Sequence, residues 1–333
     1  MLNLKERIAL LVRLGAYMAA NETSWQEAKL KAERENGWFT QPFIGLAADA
    51  IINQFLQPTA LEKWAMAYQL PSTNTAAKKI GVVMAGNIPL VGFHDFLCVF
   101  LSGHLLYIKA STKDAVLLKH LINEMICWEP RVKELIYFGE MLKGCDAYIA
   151  TGSNNTARYF DYYFSKYPHI IRRNRTSVAL LTGNETIADL ENLANDVHLY
   201  FGLGCRNVTQ VLVPQDYDFV PMLDAFKDYL YFADHNKFKN NYDYQLALLI
   251  LNKKYYMTNG AILLAENESI FSPIAQLHYS YYNNADVAAS TLLQNRDLQC
   301  LVGQNHTPFG GAQTPTLTDY ADGVDTLAFL KSL

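Results

Sequence analysis

From Lys79 onward the chain alternates short apolar segments with stretches in which apolar residues recur at helical spacing, and this alternation constrains its fold most strongly. Strands joined by helices in this way form parallel sheets with right-handed crossovers, and such sheets bind nucleotides at the carboxyl ends of their strands. The sequence therefore predicts an α/β fold. We expect its strands at 80–84, 105–109, 135–138, 147–150, 177–181 and 208–213.

Changes in the pattern divide the 333-residue chain into four parts. The first is mostly helical and is expected to pack on the second, the second and third are α/β domains, and the last is a tail. These parts are 1–75, 76–172, 173–305 and 306–333. Capping residues predict two helix starts, one at Ser24, which has Glu27 three positions later, and one at Ser111.

Composition argues against several classes of function. A formal net charge of −4, with 18% charged residues, provides no basic patch for a nucleic acid. The apolar run 88–108 contains Pro89, His94 and Asp95, so we expect a soluble, cytoplasmic protein without a membrane span. Scattered cysteines without CxxC spacing predict reduced thiols, with neither a disulfide framework nor a metal site. They are Cys98, Cys127, Cys145, Cys205 and Cys300.

Cys205 lies in a glycine turn, where a predicted helix that ends near Phe201 gives way to a predicted strand. Gly202 and Gly204 leave room for an incoming substrate, and a turn leaves backbone N–H groups to face an oxyanion. This setting is typical of a nucleophile. A free cysteine is commonly a small buried hydrophobe, however, so local chemistry alone leaves that alternative open.

Polar residues also follow three predicted strands of the first α/β domain. Asn87, after the first strand, could donate an amide N–H to an oxyanion or instead cap the next helix. Lys109, at the end of the second, suits a ribose or phosphate oxygen, although an exposed lysine without a role fits equally well. The turn Thr151-Gly152-Ser153 allows a pyrophosphate to approach a helix N-terminus, but it lacks the G-x-G-x-x-G pattern.

Two further groups of side chains have chemistry that a site could use. Several arginines could favour a thiolate or bind phosphate, with a surface role as the alternative for each: Arg172, Arg173, Arg175 and Arg206. Three histidines are potential proton donors, but packed or solvated histidines are commoner and no role is assigned: His94, His198 and His306.

Six segments in a fixed order carry a family resemblance. They are Ala85-Gly86-Asn87-Ile88-Pro89-Leu90-Val91-Gly92-Phe93-His94, Lys109-Ala110-Ser111, Ala150-Thr151-Gly152-Ser153, Arg173-Asn174-Arg175-Thr176-Ser177-Val178, Phe201-Gly202-Leu203-Gly204-Cys205-Arg206-Asn207 and Phe309-Gly310-Gly311-Ala312-Gln313. Together they resemble the acyl-CoA reductase family of the bacterial luminescence fatty acid reductases, a branch of the aldehyde dehydrogenase superfamily. The resemblance spans residues 80–330.

The resemblance implies an aldehyde dehydrogenase-like fold, with a Rossmann-type nicotinamide cofactor domain and an α/β catalytic domain. It implies that Cys205 is the nucleophile, and that the Asn87 amide holds the oxyanion together with the Cys205 backbone N–H. The implied cofactor is NADPH, with NADH as the alternative, and a homo-oligomer is a possible assembly. The implied cofactor-binding residues are Lys109, Ser111, Thr151, Gly152 and Ser153.

Two departures from the superfamily pattern matter. Hydrolytic members have a glutamate before the second-domain strand, whereas the stretch 172–177 contains no carboxylate. Without that base an acyl-enzyme should exchange with a thiol or be reduced by hydride, not hydrolysed. The segment 268–273 resembles Glu-Ile-Phe-Gly-Pro, but Ser269 stands where the ribose-binding glutamate belongs and Glu268 is one residue away.

These features predict an acyl-CoA reductase that forms an acyl-cysteine from an acyl-CoA or acyl thioester and releases the aldehyde. Two other interpretations remain open. One is a cysteine acyltransferase or thioesterase that uses no cofactor, and the other is a non-catalytic subunit that binds acyl-CoA or a nucleotide. A subunit that only binds, however, needs neither Cys205 nor Asn87.

Overall fold

The structure, a computed structural model, describes residues 2–333 and divides into two units. The first unit comprises 2–174 and 315–333, and the second comprises 175–314. The sequence pattern separates 306–333 as a tail. In the structure this stretch is shared, because 306–314 belong to the second unit and 315–333 return to the first.

Four helices open the first unit and share one hydrophobic core with its sheet: α1 (Leu4–Ala20), α2 (Thr23–Glu35), α3 (Gln41–Gln54) and α4 (Pro58–Ala67). Helix α1 begins at a capping box, because the Asn3 side chain accepts the Glu6 N–H and the Glu6 carboxylate accepts the Asn3 N–H. The capping box predicted at Ser24 is wrong. Helix α2 begins one residue earlier without a side-chain cap, and the Ser24 hydroxyl hydrogen-bonds that of Tyr17.

Five parallel strands form the sheet of the first unit, within 2–174 and 315–333: β1 (Lys79–Val83), β2 (Leu105–Lys109), β3 (Ile136–Phe138), β4 (Ala147–Thr151) and β5 (His169–Arg172). Their order is β3-β2-β1-β4-β5, the order of the first five strands of a Rossmann fold. The connecting helices are α5 (Phe93–Ser102), α6 (Val116–Trp128) and α7 (Asn154–Phe164). The order reverses between β1 and β4, which is where doubly wound sheets bind ligands.

Local backbone geometry changes two predicted helix starts. The sequence pattern begins α5 at Leu90, but the helix begins at Phe93, because Leu90 has a left-handed φ of +57°. The pattern also begins α6 at Ser111. That helix begins instead at Val116, and the Ser111 hydroxyl accepts the Lys113 N–H at 3.2 Å within the preceding turn.

The second unit, residues 175–314, contains a six-stranded sheet: β6 (Thr176–Leu180), β7 (Val208–Pro214), β8 (Met257–Thr258), β9 (Leu263–Glu266), β10 (Gln276–Tyr282) and β11 (Leu298–Gly303). The order is β11-β6-β7-β10-β9-β8, and only the β8–β9 pair among these is antiparallel. Its helices are α8 (Ile187–His198), α9 (Val220–Ala225), α10 (Asn236–Leu251) and α11 (Ala285–Leu293).

The end of the chain is anchored inside the first unit by α12 (Thr326–Lys331). Arg172, the last residue of β5, forms a buried ion pair with Asp95 of α5 and donates to the Thr326 hydroxyl at 2.8 Å. One guanidinium therefore links a strand and two helices. None of the helices within residues 2–333 combines the length and hydropathy that crossing a bilayer requires.

Candidate functional site

The sheet of the first unit brings three sequence-predicted segments to one edge. Val83 of β1 pairs with Lys109 of β2 and, on its other side, with Ala150 of β4. The loop that contains Asn87, the residue Lys109 and the turn at 151–153 therefore follow three adjacent strands at their carboxyl ends. This edge includes the switch point between β1 and β4, so its position suits a dinucleotide.

The loop after β1 packs closely against the loop after β2. A Cβ atom at Gly86 would lie 2.5 Å from the Ser111 Oγ, so only glycine fits there without movement of the serine. The buried carboxyl of Asp114 accepts the N–H groups of Leu90 and Val91, and burial raises the pKa of Asp114 well above its usual value. These contacts hold Ser111 beside the loop that carries Asn87.

Asn87 and Lys109 both have exposed side chains. The alternative in which Asn87 caps α5 is excluded, since Gly92 occupies the N-cap position of that helix. Lys109 is the last residue of β2, and its exposure leaves the ammonium group accessible to an anionic or hydroxylated ligand. Both positions are therefore compatible with the roles that the resemblance implies.

The turn at 151–153 leads directly into α7. The Ser153 side chain caps this helix by accepting the Thr156 N–H at 3.3 Å, and the Gly152 N–H donates to the Arg172 carbonyl at 3.2 Å. The first N–H groups of a helix have no partner within the helix, and they attract anions. One edge of the sheet thus carries the N-terminus of α7, the hydroxyl groups of Thr151 and Ser153, and the Lys109 cation. This set of hydrogen-bond donors fits an anionic dinucleotide.

Cys205 lies between a 3-10 helix at Leu199–Gly202 and strand β7, as the sequence predicts. The preceding helix is shorter than predicted, because α8 ends at His198 and three successive residues then have left-handed φ values. These values are 56° for Tyr200, 58° for Phe201 and 73° for Gly202. Left-handed residues other than glycine are strained, so surrounding contacts must stabilise this backbone.

Neighbouring groups distinguish Cys205 from the buried cysteines. Its side chain is partly exposed, whereas Cys98 and Cys145 are buried. The Ser177 hydroxyl on β6 donates to the Cys205 carbonyl at 3.3 Å and also contacts the Cys300 Sγ at 2.9 Å. The interpretation as a small buried hydrophobe therefore fits Cys98 and Cys145 better than it fits Cys205.

Asn207, two residues after the cysteine, is a fully buried residue whose bonds the sequence does not reveal. Its amide Nδ2 donates to three carbonyls at the end of α8: Asp196 at 3.0 Å, Val197 at 3.3 Å and Leu199 at 2.9 Å. Its Oδ1 accepts the Gly204 N–H at 2.8 Å. The only sequence signal was that Asn207 stands in the cysteine motif.

Asp196 connects the same helix end to a second motif. Its carboxylate accepts the N–H groups of Gly310 at 2.7 Å and Ala312 at 3.0 Å. Burial raises the pKa of Asp196 to about 6, although these two N–H groups lower it. The segment 309–313, which the resemblance includes, is therefore hydrogen-bonded to the end of α8. Asn207 connects the same helix end to the turn of Cys205.

The arginines near the start of the second unit do not form a phosphate site. Arg172 is buried against Asp95, Arg173 pairs with Asp161 at 2.6 Å, and Arg175 donates to the Leu298 carbonyl at 3.0 Å. Each of these guanidinium groups has a structural partner within its own unit. Arg206 is partly exposed beside Cys205.

The histidines divide by environment. His94 Nε2 hydrogen-bonds the Leu317 carbonyl at 3.0 Å. His198 stacks on Tyr229, and burial lowers the pKa of His198 to about 4, so it is neutral near pH 7. A packed role therefore describes both histidines. Glu268, the residue adjacent to the expected ribose-binding position, is exposed before β10.

Comparisons with known proteins identify the fold. No family model and no curated protein matches the sequence, but solved structures do. A mutant of the P. syringae AldA indole-3-acetaldehyde dehydrogenase, in complex with NAD+ and IAA, aligns with a TM-score of 0.64 at 11% identity, over 90% of this chain and 72% of that one. Aldehyde dehydrogenase 21 from Physcomitrella patens, in complex with succinate, aligns with a TM-score of 0.64 at 10% identity, over 92% and 74%. The chain has the aldehyde dehydrogenase fold.

The aldehyde dehydrogenase KauB from Pseudomonas aeruginosa gives a similar result, with a TM-score of 0.63 at 12% identity, over 90% of this chain and 72% of that one. The predicted fold class is thereby confirmed: an α/β protein with a Rossmann-type unit and a second α/β unit of the aldehyde dehydrogenase kind. At these identities the likeness concerns the fold.

Proposed function

We propose that this protein is an acyl-CoA reductase, which uses NADPH to reduce an acyl-CoA or related acyl thioester to the aldehyde. The observation that carries the proposal is the setting of Cys205 on an aldehyde dehydrogenase fold: a partly exposed thiol in a turn that precedes β7 and follows three left-handed residues. The resemblance of six ordered motifs supplies the substrate class. NADH is the alternative cofactor.

The proposed reaction proceeds through an acyl-cysteine. The Cys205 thiolate attacks the thioester carbonyl, while the Asn87 side-chain amide and the Cys205 backbone N–H donate to the oxyanion. The bond to CoA then breaks, CoA leaves as a thiolate that takes up a proton, and the acyl group remains on Sγ. NADPH held by the first unit would supply the hydride that reduces the acyl carbon to a thiohemiacetal on Cys205. The thiohemiacetal on Cys205 collapses by cleavage of its C–S bond, which releases the aldehyde and regenerates the thiolate.

Five residues of the first unit are proposed to hold the cofactor. Lys109 binds a ribose or phosphate oxygen with its exposed ammonium, and the N-terminus of α7 binds the pyrophosphate. The hydroxyl groups of Ser111, Thr151 and Ser153 are the other proposed hydrogen-bonding groups for the cofactor. The five residues are Lys109, Ser111, Thr151, Gly152 and Ser153.

Reduction is favoured over hydrolysis because no carboxylate lies in the stretch 172–177, where hydrolytic relatives have their base. Asp196 does not replace it, since its carboxylate is fully buried and accepts two backbone N–H groups. The acyl-enzyme is therefore expected to persist until hydride arrives or a thiol exchanges with it.

A cofactor assay with cysteine variants tests this proposal. Purified protein with acyl-CoA and NADPH should form aldehyde, free CoA and NADP+ in equal amounts. Cys205→Ala should abolish all three, whereas Cys127→Ala, which changes an exposed cysteine of α6, should retain activity. Substantial NADPH oxidation by the Cys205→Ala protein contradicts the assignment.

The same assay distinguishes the two alternatives. A thioesterase or acyltransferase releases CoA without consuming NADPH, and its acyl product is an acid or a new ester or thioester. A binding subunit leaves the acyl-CoA intact after long incubation with cofactor. Either result with the wild-type protein replaces the proposed function.

A further inference from the structure

The carbonyl groups at the end of α8 need partners, and one side chain supplies them. The last carbonyls of a helix have no partner within the helix, and buried polar groups without hydrogen bonds are unfavourable. The Asn207 amide donates to the carbonyls of Asp196, Val197 and Leu199, at 2.9 to 3.3 Å. A residue that lies eight to eleven positions after these carbonyl groups therefore caps the helix from outside it.

The remaining polar atoms of Asn207 are used as well. Its Oδ1 accepts the Gly204 N–H, and its own N–H donates to the Gly204 carbonyl at 3.1 Å, which closes the turn that contains Cys205. Its carbonyl accepts the Ser177 N–H at 3.1 Å from strand β6. Both ends of the cysteine turn are consequently connected to one buried residue.

The geometry points to Asn207 as the positioning residue of the nucleophile: it holds the three left-handed residues and the turn of Cys205 between the end of α8 and strand β6. Asp196 extends the network, because its carbonyl accepts from Asn207 while its carboxylate holds Gly310 and Ala312. The cysteine motif 201–207 and the segment 309–313 are thus both hydrogen-bonded to the end of α8. This inference rests on the proposed role of Cys205 as the nucleophile.

Asn207→Ala removes the four side-chain hydrogen bonds that Asn207 makes and provides the test. Rates of acylation depend steeply on the position of the attacking atom, and a displacement of about 1 Å can reduce a rate about 100-fold. We expect acylation of Cys205 by acyl-CoA to slow about 100-fold, with the KM for NADPH changed less than about twofold. Amide exchange of the segment 199–208 should accelerate at least about tenfold, because the turn loses its anchor.

Asn259→Ala is the matched control. Asn259 also lies in the second unit and bonds backbone groups with its side chain, accepting the N–H groups of Ala261 and Ile262 and donating to the Leu223 carbonyl. Its loss should accelerate exchange near residue 260 and leave acylation of Cys205 within about twofold of wild type. A general loss of stability would affect both variants alike.

The outcomes decide the inference separately from the proposed function. A folded Asn207→Ala protein that acylates Cys205 at the wild-type rate overturns the positioning role, whatever its amide exchange. If that variant does not fold, exchange in the wild-type protein decides: protection of the Gly204 amide equal to that of β7 supports the network, and exchange as fast as an exposed loop overturns it. Absence of acylation in the wild-type protein refutes the proposed function. In that case, amide hydrogen exchange of the segment 199–208, compared between wild type and Asn207→Ala, still decides whether Asn207 orders the turn.

Discussion

Asp196 has a buried carboxylate that accepts the N–H groups of Gly310 and Ala312, and these two hydrogen bonds offset only part of its desolvation. Burial raises its pKa to about 6 in the folded chain, above its ordinary value near 4. The folded state therefore binds this proton more tightly than the unfolded state does. Stability from this group is complete below about pH 4 and is lost as the pH rises through 6.

The pH dependence of unfolding tests this carboxylate. The Asp196 contribution should lower the free energy of unfolding by up to about 3 kcal/mol between pH 4 and pH 7. Asp196→Asn should remove that part of the slope, as measured by urea unfolding across the range. Asp189→Asn should change the pH slope of the unfolding free energy in the opposite direction. Hydrogen bonds with Thr186 lower the pKa of Asp189, so its contribution to stability is lost as the pH falls. Equal slopes in the Asp196→Asn and wild-type proteins contradict the argument.

Gly86 tests the contact between the loops after β1 and β2. A Cβ at this position would lie 2.5 Å from the Ser111 Oγ and 2.7 Å from its Cβ, so Gly86→Ala should displace the loops and cost about 1–3 kcal/mol. Proposed cofactor binding should weaken about tenfold or more, as measured by titration with NADPH. The double variant Gly86→Ala, Ser111→Gly removes both clashing atoms and should recover stability. No recovery would show that another contact governs the loop.

At the scale of elements, capping residues fix where helices begin, and the sequence identified them only in part. The Ser24 and Glu27 spacing has the form of a capping box, yet Ser24 bonds Tyr17 instead. True capping boxes occur at Asn3 with Glu6 and at Thr186 with Asp189. The same spacing arises by chance, and tertiary partners decide which hydroxyl caps a helix.

Thr186→Ala tests the capping box of α8, the helix whose far end carries the Asn207 network. The Thr186 side chain accepts the Asp189 N–H at 3.2 Å, so its loss should reduce the free energy of unfolding by about 1 kcal/mol. Ser290→Ala changes an exposed hydroxyl within α11, which only bonds the Asp286 carbonyl, and should have a smaller effect. Indistinguishable unfolding midpoints for the two variants count against the capping assignment.

At the scale of the whole molecule, periodicity predicted the parallel sheets because their strands are short, apolar and followed by helices. It missed β5 (His169–Arg172), whose four residues include only two apolar side chains, and β11 (Leu298–Gly303), and it could not show that 315–333 return to the first unit. The places of Cys205 and Lys109 in the fold were predictable, because Cys205 lies in the turn before a strand and Lys109 ends one. Asn207 and Asp196 were not, since their roles arise from contacts with residues distant in sequence.

The ion pair of Arg172 and Asp95 tests how the returning C-terminal segment is held. Asp95→Ala leaves a buried guanidinium without its carboxylate and should destabilise the protein by about 3–5 kcal/mol in urea unfolding. Arg173→Ala breaks the exposed pair with Asp161 and should cost at most about 1 kcal/mol. Replacing both buried partners, as in Asp95→Leu with Arg172→Met, should be less harmful than Asp95→Ala alone. The reverse ranking would contradict the buried-pair account.

The most direct measurement is the mass of the protein after incubation with an acyl-CoA in the absence of NADPH, followed by peptide mapping. The account predicts one acyl adduct, located on Cys205 in wild type and in Cys127→Ala, and lost as aldehyde when NADPH is added. An adduct on Cys300, or none at all with acyl-CoA substrates of short, medium and long chain, would contradict it.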